Sequence, residues 1–335
     1  MLSIRELRDR AVIRPIKRAV EDQLLDLPGV TAVDIGVKHH AGAPTGQQAI
    51  VVSVIRKRPR DQLVPGTGVP GDIFGIPTDV IEEQPVLQHI HCARQEPMAP
   101  SRRRGDRAGA VRAGGGLVPC RAVHLAPPTV PSAGEYRRIG TLGAIVTGTA
   151  PTVVTMGLTT FDVACLDDAW AVGDRMADPD DGRVHTELAR AALSGRVDAA
   201  AVAIAPGSET SCVVDGIGPV TGHATAYPGE RVRKNGFGTG VTLGVVTSID
   251  ATVRIDHGEA LGVRVLREQI RITAADLRFC GPGDAGAAVL DPGGRIIGLH
   301  VAGSRGGLFG FASPIADVLA ELDVELCTES QRIRV

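Results

Sequence analysis

Beyond Gly140 the chain is a succession of short apolar runs, each closed by glycine or proline, with no long amphipathic helix between them. The runs cover 142–146, 152–158, 199–204, 241–249, 252–255, 269–273, 287–290, 296–301 and 309–312. Runs of this length, rich in β-branched residues and bounded by turn residues, read as strands. Strands at this density, without helices between them, call for a barrel or a sandwich. Aromatic residues make up only 3% of the 335 residues, so the cores have to be built from Val, Ile, Leu and Ala. The pattern ends at Ser313-Pro314, a capping serine followed by proline at the first helical position. A helix carrying Ile315, Val318, Leu319 and Leu322 on one face follows.

The N-terminal part follows a different pattern. Ser3 and Glu6 have capping-box spacing, and Leu2, Ile4, Leu7, Val12, Ile13, Ile16, Val20 and Leu24 recur at near-helical intervals. Pro15 interrupts this helix or opens its second half, and Leu27-Pro28-Gly29 ends it. Val- and Ile-rich runs at 30–38, 48–56 and 78–82 then read as strands, joined by turn-like segments. Residues 1–92 are therefore expected to form a small α/β domain. Residues 93–134, with Ser101-Arg102-Arg103-Arg104 and Gly114-Gly115-Gly116, lack the apolar side chains that offset ordering entropy and read as an Arg/Gly/Pro-rich linker. The β-rich domain occupies 135–330.

The net charge of −2 creates no overall field toward nucleic acid or an anionic membrane, so neither is expected as a partner. No stretch approaches the roughly 20 apolar residues of a membrane span, and the first 25 residues lack the apolar core of a secretory signal. Six cysteines, Cys92, Cys120, Cys165, Cys212, Cys280 and Cys327, are spread singly without CxxC spacing and read as reduced thiols, which makes a cytoplasmic location the expectation. His89-Ile90-His91-Cys92 puts two imidazoles on one face of a strand, but no further ligand lies at metal-site spacing, and no metal is expected. The glycine-rich stretch 235–240 is not flanked by a strand and a helix as a phosphate loop requires, so it reads as a barrel turn and no cofactor is expected.

The most specific stretch is Cys280-Gly281-Pro282-Gly283-Asp284-Ala285-Gly286, followed by a strand, a turn and the strand ending at His300. It resembles the Gly-Asp-Ser-Gly nucleophile turn of chymotrypsin-fold serine peptidases, with Ala285 at the serine position. The run Val197-Asp198-Ala199 resembles the start of that family's aspartate strand, which places Asp198 in the triad slot. Leu158-Thr159-Thr160-Phe161-Asp162-Val163-Ala164 is similar to the segment that ends in the catalytic histidine, and here Asp162 stands in its place. Gly36-Val37-Lys38, Lys57-Arg58-Pro59 and Gly75-Ile76-Pro77-Thr78 look like a domain preceding the peptidase in some bacterial and plant trypsin-like proteins. The resemblance implies a mainly β fold: a trypsin-like double β-barrel with a C-terminal helix, preceded by a small α/β domain. Barrel one is expected over about 135–208, barrel two over about 209–312 and the closing helix over 313–323.

A serine hydroxyl attacks a peptide only when an imidazole takes its proton and a carboxylate holds that imidazole. Alanine and aspartate at two of the three positions imply a catalytically degenerate member with no intact triad, a pseudoprotease that acts as a protein-binding or assembly module. The alternatives are a peptidase whose nucleophile was replaced by Ala285, or a regulatory subunit of an active relative. Asp162 and Asp198 read as two acids solvated in a degenerate cleft, or as a dyad with one raised pKa if buried. His185, His223, His257 and His300 have no triad position in the template. Backbone N–H groups at Gly283 and Ala285 survive a side-chain change. Together with His300, Val301, Ala302 and Gly303, whose strand edge can pair with an extended peptide, they form the expected binding set. A cleft filled by Phe279 or its neighbours is the competing expectation. The partner is expected to be a protein or peptide, with homo-oligomerisation open.

Overall fold

The computed structural model describes residues 3–93, 111–149 and 153–329. Helix α1 spans Ile4–Leu25, and both halves of the capping box form: Ser3 Oγ accepts from the Glu6 amide at 3.2 Å, and Glu6 Oε2 accepts from the Ser3 amide at 2.7 Å. The apolar periodicity identified the helix without identifying its buried face. Ile4, Leu7 and Val12 are exposed, whereas Ile13, Val20, Leu24 and Leu25 are buried beside Arg10, Lys17 and Glu21. Leu2 lies outside the described residues. Two of the buried charges satisfy each other: Lys17 pairs with Glu21 and donates to Thr252 Oγ1 at 2.6 Å, and that hydroxyl donates to Glu21 at 2.8 Å. Buried ions of this kind hold their place only as a paired set.

α1 packs on an antiparallel hairpin, Val30–His40 with Ala43–Val54, whose turn residues Ala41 and Gly42 both have positive φ, 49° and 81°. Ile76–Glu82 adds to the hairpin as a parallel strand. The Val30–His40 strand also pairs with Gly240–Asp256, Ala32 opposite Val253 and Val33 opposite Thr252. The N-terminal strands therefore continue directly into the large C-terminal sheet.

That sheet contains a closed ring. In order around it are Arg231–Gly236, Ala288–Leu290, Arg295–Gly303, Phe309–Pro314, Val263–Ala274 and Gly240–Asp256, and the last pairs back with the first. Two ring strands extend past their ring neighbours and pair outside the ring, Gly240–Asp256 with Val30–His40 and Arg295–Gly303 with Val86–Leu87. The runs at 241–249 and 252–255 are one 17-residue strand. Register shifts at Ser248 and Ala251 let one end serve the barrel and the other the N-terminal hairpin.

The second sheet runs Val324–Leu326, Ala144–Gly148, Thr155–Thr159, Asp198–Ile204, Val184–Leu193, Arg175–Ala177, Gly116–Pro119, Gly134–Thr141 and Ile90–Ala93. Its interior is aliphatic, built on Leu142, Ile145, Leu158, Leu188, Val202 and their neighbours, in keeping with the scarcity of aromatics. The chain is mainly β, with α1 at its N-terminal end, the short α2 (Phe161–Cys165) after the Thr155–Thr159 strand and the short α3 (Ile315–Glu321) near its C-terminal end. No helix among the described residues is long and apolar enough to cross a membrane.

Three expectations need correction. Val111–Ala113, Gly116–Pro119 and Val123–Leu125, expected as linker, are strands; their buried Val111, Leu117 and Val118 were diluted in an Arg/Gly-rich window. The basic run 101–104 lies outside the described residues. Helix α3 is Ile315–Glu321, with Pro314 at the cap and no side-chain cap bond; Ser313 Oγ is instead buried, accepting from the Asp198 amide at 3.3 Å and donating to Gln269 Oε1 at 3.2 Å. Cys212 and Cys327 form a disulfide, with their Cα atoms 5.3 Å apart. A separation of 115 residues gave no spacing signal for it, and the other four cysteines are free.

Candidate functional site: a protease-like cleft

The turn at 281–286 is shaped by two glycines with positive φ, Gly283 at 94° and Gly286 at 92°. A Cβ on Gly286 would come within 2.3 Å of the Thr141 carbonyl oxygen, so no side chain fits there. Between them the buried Asp284 carboxylate acts as a peg. It pairs with the buried Lys234 Nζ at 2.6 Å and accepts from the Thr239 hydroxyl at 2.6 Å, the Gly281 amide at 2.9 Å and the Thr239 amide at 3.0 Å. The turn is thereby fixed with the N–H groups of Gly283 and Ala285 pointing to one place.

That place is occupied by the chain itself. The Gln88 carbonyl oxygen accepts from the Gly283 amide at 2.6 Å and from the Ala285 amide at 3.1 Å. The two preceding residues, Val86–Leu87, pair antiparallel with Arg295–Gly303, Leu87 opposite Ala302 and Val86 opposite Gly303. The Gln88 side chain is 1% exposed, and its amide reaches the carbonyls of Val86 at 3.3 Å and Gly303 at 3.4 Å. Residues 86–88 thus lie along the strand edge as an extended peptide, the third carbonyl resting on two amides. Phe279 is not the occupant; it is a barrel-core residue set edge-on to His300 at 5.9 Å. His300, Val301 and Ala302 are buried beneath the segment's strand. Neither ring nitrogen of His300 has a hydrogen-bond partner among the described residues, and burial first, then the Lys234 charge, holds its imidazole well below the usual histidine range.

Asp162 is in helix α2, Phe161–Cys165, directly after the Thr155–Thr159 strand. Its carboxylate is fully buried between two partners: Arg138 donates to Oδ1 at 2.6 Å, and His89 Nδ1 meets Oδ2 at 2.5 Å. His89 Nε2 in turn lies 3.0 Å from His91 Nε2, so one of those two rings supplies an acceptor nitrogen. Burial pushes the Asp162 carboxyl upward, but the charges of His89 and Arg138 and the His89 hydrogen bond outweigh it and hold the group well below the carboxylate range. Burial, with His89 and Arg138 adding to it, lowers His91 to about 4.

Asp198, also fully buried, opens the Asp198–Ile204 strand. Oδ1 accepts from the Phe161 amide at 2.8 Å, and Oδ2 meets His257 Nε2 at 2.8 Å. Burial opposes charge on His257, but the hydrogen bond and charge of Asp198 raise its pKa above the usual value. The expectation of two acids solvated in a degenerate cleft is corrected: both are buried, and each has its own cationic or imidazole partner. His257 is corrected too; it follows directly after the Gly240–Asp256 strand and binds the triad-slot aspartate.

The sequence did not single out Gln88, Arg138 or Lys234, and it set His257 aside for want of a triad position. His89 and His91 carried a local signal, their alternation on a strand, which was weighed as a metal site and set aside without indicating Asp162 as the partner. The others act through partners 24 to 215 positions away in sequence, which periodicity cannot register.

The arrangement presents a methyl group at 285 and an ionised, ion-paired carboxylate at 162. The methyl cannot attack a carbonyl, and the carboxylate takes up no proton near neutrality. Two amides and a strand edge remain, and they hold residues 86–88 of the chain itself.

No family model matches the sequence, and the search of curated proteins finds no match. Solved structures similar to this chain are bacterial serine proteases of the chymotrypsin and trypsin type. Protease A of Thermobifida fusca is 22% identical with a TM-score of 0.47, over 65% of this chain and 99% of that one. Chymotrypsin of Cellulomonas bogoriensis is 22% identical with a TM-score of 0.42, over 56% and 90%. Nocardiopsis protease is 22% identical with a TM-score of 0.44, over 57% and 93%. At these identities the likeness concerns the fold; what this chain does rests on its own residues.

Proposed function

We propose that this chain is a pseudoprotease, a protease-like protein that holds an extended peptide in its cleft without hydrolysing it and serves as a protein-binding or assembly module. The observation that carries this reading is the Gln88 carbonyl on the Gly283 and Ala285 amides, with no hydroxyl on residue 285 to attack it. The state of Asp162 supports it as well. An ion pair with Arg138 and a hydrogen bond with His89 leave no proton-accepting base at position 162, where acyl transfer to a serine would need one. The fold would then supply backbone geometry for binding, and partners would be proteins or peptides.

The test exposes the purified chain to a fluorophosphonate probe and a peptide library, with native mass measured before and after incubation in cell lysate. The expected result is no labelling, no cleavage and a defined assembly or retained protein. Turnover that survives purification and disappears in Asp162→Asn or Asp198→Asn would overturn the reading in favour of a carboxylate mechanism.

A further inference from the structure

Resting on that reading, we propose that the cleft is selective for an extended segment of the form aliphatic–Leu–Gln–His, that residues 86–89 are its ligand in cis, and that Asp162 is the residue that selects the histidine. The segment is recognised at four successive points. Val86 and Leu87 are held by backbone pairing to Gly303 and Ala302, which any extended chain can make. Leu87 packs against the barrel cluster that includes Val301, Phe309 and Phe311, a site for a branched apolar side chain. Gln88 is enclosed, and its amide nitrogen reaches two carbonyls; a side chain without an N–H donor would leave the Gly303 carbonyl without this bond. His89 sits against the Asp162 carboxylate, which Arg138 holds in place from its other oxygen.

The position that in a working protease would exchange protons is thus turned to recognition. A carboxylate held ionised in a buried site is a poor general base and a good partner for an imidazole N–H. Pairing by the first two residues alone would make the cleft indiscriminate. Selectivity comes from Gln88 and His89, the two residues whose side chains meet specific polar groups. A segment tethered in cis also has a high effective concentration, so an external peptide of the same chemistry competes poorly until the internal one is weakened.

The experiment uses the full chain and a fluorescein-labelled peptide with the sequence of residues 84–91. The cis segment is weakened by Gln88→Ala with His89→Ala, and circular dichroism checks the fold. Fluorescence polarisation is expected to show at least about tenfold tighter binding by this variant than by the unaltered chain, from relief of the cis competitor. Peptides with Gln→Ala or His→Ala at the matching positions are expected to bind about tenfold more weakly, as the removal of a single hydrogen bond predicts. Adding Asp162→Asn to the variant should abolish the preference for histidine while the strand-pairing contribution remains. A folded variant that binds no peptide, or that binds a scrambled peptide equally well, overturns the proposal and leaves the non-hydrolysing reading intact. A peptide that binds selectively but is recovered cut by mass spectrometry overturns the non-hydrolysing reading and leaves the selectivity intact. Should the variant fail to fold, hydrogen–deuterium exchange on the unaltered chain with excess peptide decides. Competition predicts faster exchange in residues 86–89 with retained protection at 283–285, and no change at 86–89 refutes it.

Discussion

Arg138→Met isolates the ion pair that keeps Asp162 charged. Asp162 is fully buried and the Arg138 side chain is 7% exposed, so the substitution leaves a desolvated carboxylate with His89 as its remaining side-chain partner. Unpairing a buried charge costs about 3–5 kcal/mol, a factor of about 150 to 5,000 in the folding equilibrium. The double substitution Arg138→Met with Asp162→Leu removes both charges and should recover most of that loss, since apolar replacements of a buried pair are close to neutral. Urea titrations followed by the single tryptophan suit the question, because Trp170 stacks edge-on at 5.7 Å against Phe161, the neighbour of Asp162. Acidity provides an independent check. The folded-state value of Asp162 lies below its unfolded one, so its contribution is complete above about pH 4 and is lost as pH falls through the depressed value. Without Arg138 the carboxyl protonates more readily, and the deficit of the single variant should shrink on acidification. A loss below about 1 kcal/mol, or a double variant no better than the single one, would refute the assignment of this pair as the anchor of the site.

Ala285→Ser alone should restore neither cleavage nor fluorophosphonate labelling, because no imidazole stands at position 162; labelled protein by intact mass would contradict this. The His91 imidazole, at about 4 in the folded chain against 6.5 ordinarily, favours folding above pH 6.5, and that contribution is lost as pH falls toward 4. His91→Gln should flatten the decline of the urea midpoint across that interval. Cys327→Ser removes a bridge spanning 115 residues, for which chain entropy allows a loss of up to about 4–5 kcal/mol. A thiol assay on unfolded, unreduced protein should count four free cysteines.

Many strands of both sheets were legible because alternating Val and Ile between glycines has few other structural readings, whereas Gly134–Thr141, Val184–Leu193 and Arg231–Gly236, richer in Arg, Ala and Gly, were missed; α1 was legible from its cap. Its buried face was not. Lys17 and Glu21 go inside because Thr252, 231 residues from Glu21, completes their network, and no helical periodicity encodes such a partner. The candidate site divides in the same way. Ala285, Asp162 and Asp198 could be located by motif order, since the chain reaches those positions in a fixed sequence. Gln88 could not, because its role depends on where two amides nearly two hundred residues later come to rest. Asp162 was found but its character was misjudged: an acid next to an acid suggests repulsion, and only the approach of Arg138 and His89 shows it to be a well-held anion.

The pairing of Gln88 with Gly303 also has a consequence in time. The segment that fills the cleft precedes the strand that receives it by 215 residues, so a ribosome releases the occupant long before its seat exists. Val86 and Leu87 find their partners only after almost the whole second barrel has been made, and pairings of such separation are slow to close. Until then Leu87 and its aliphatic neighbours stay uncovered, and in that interval the nascent chain resembles a free peptide seeking a protease-like groove.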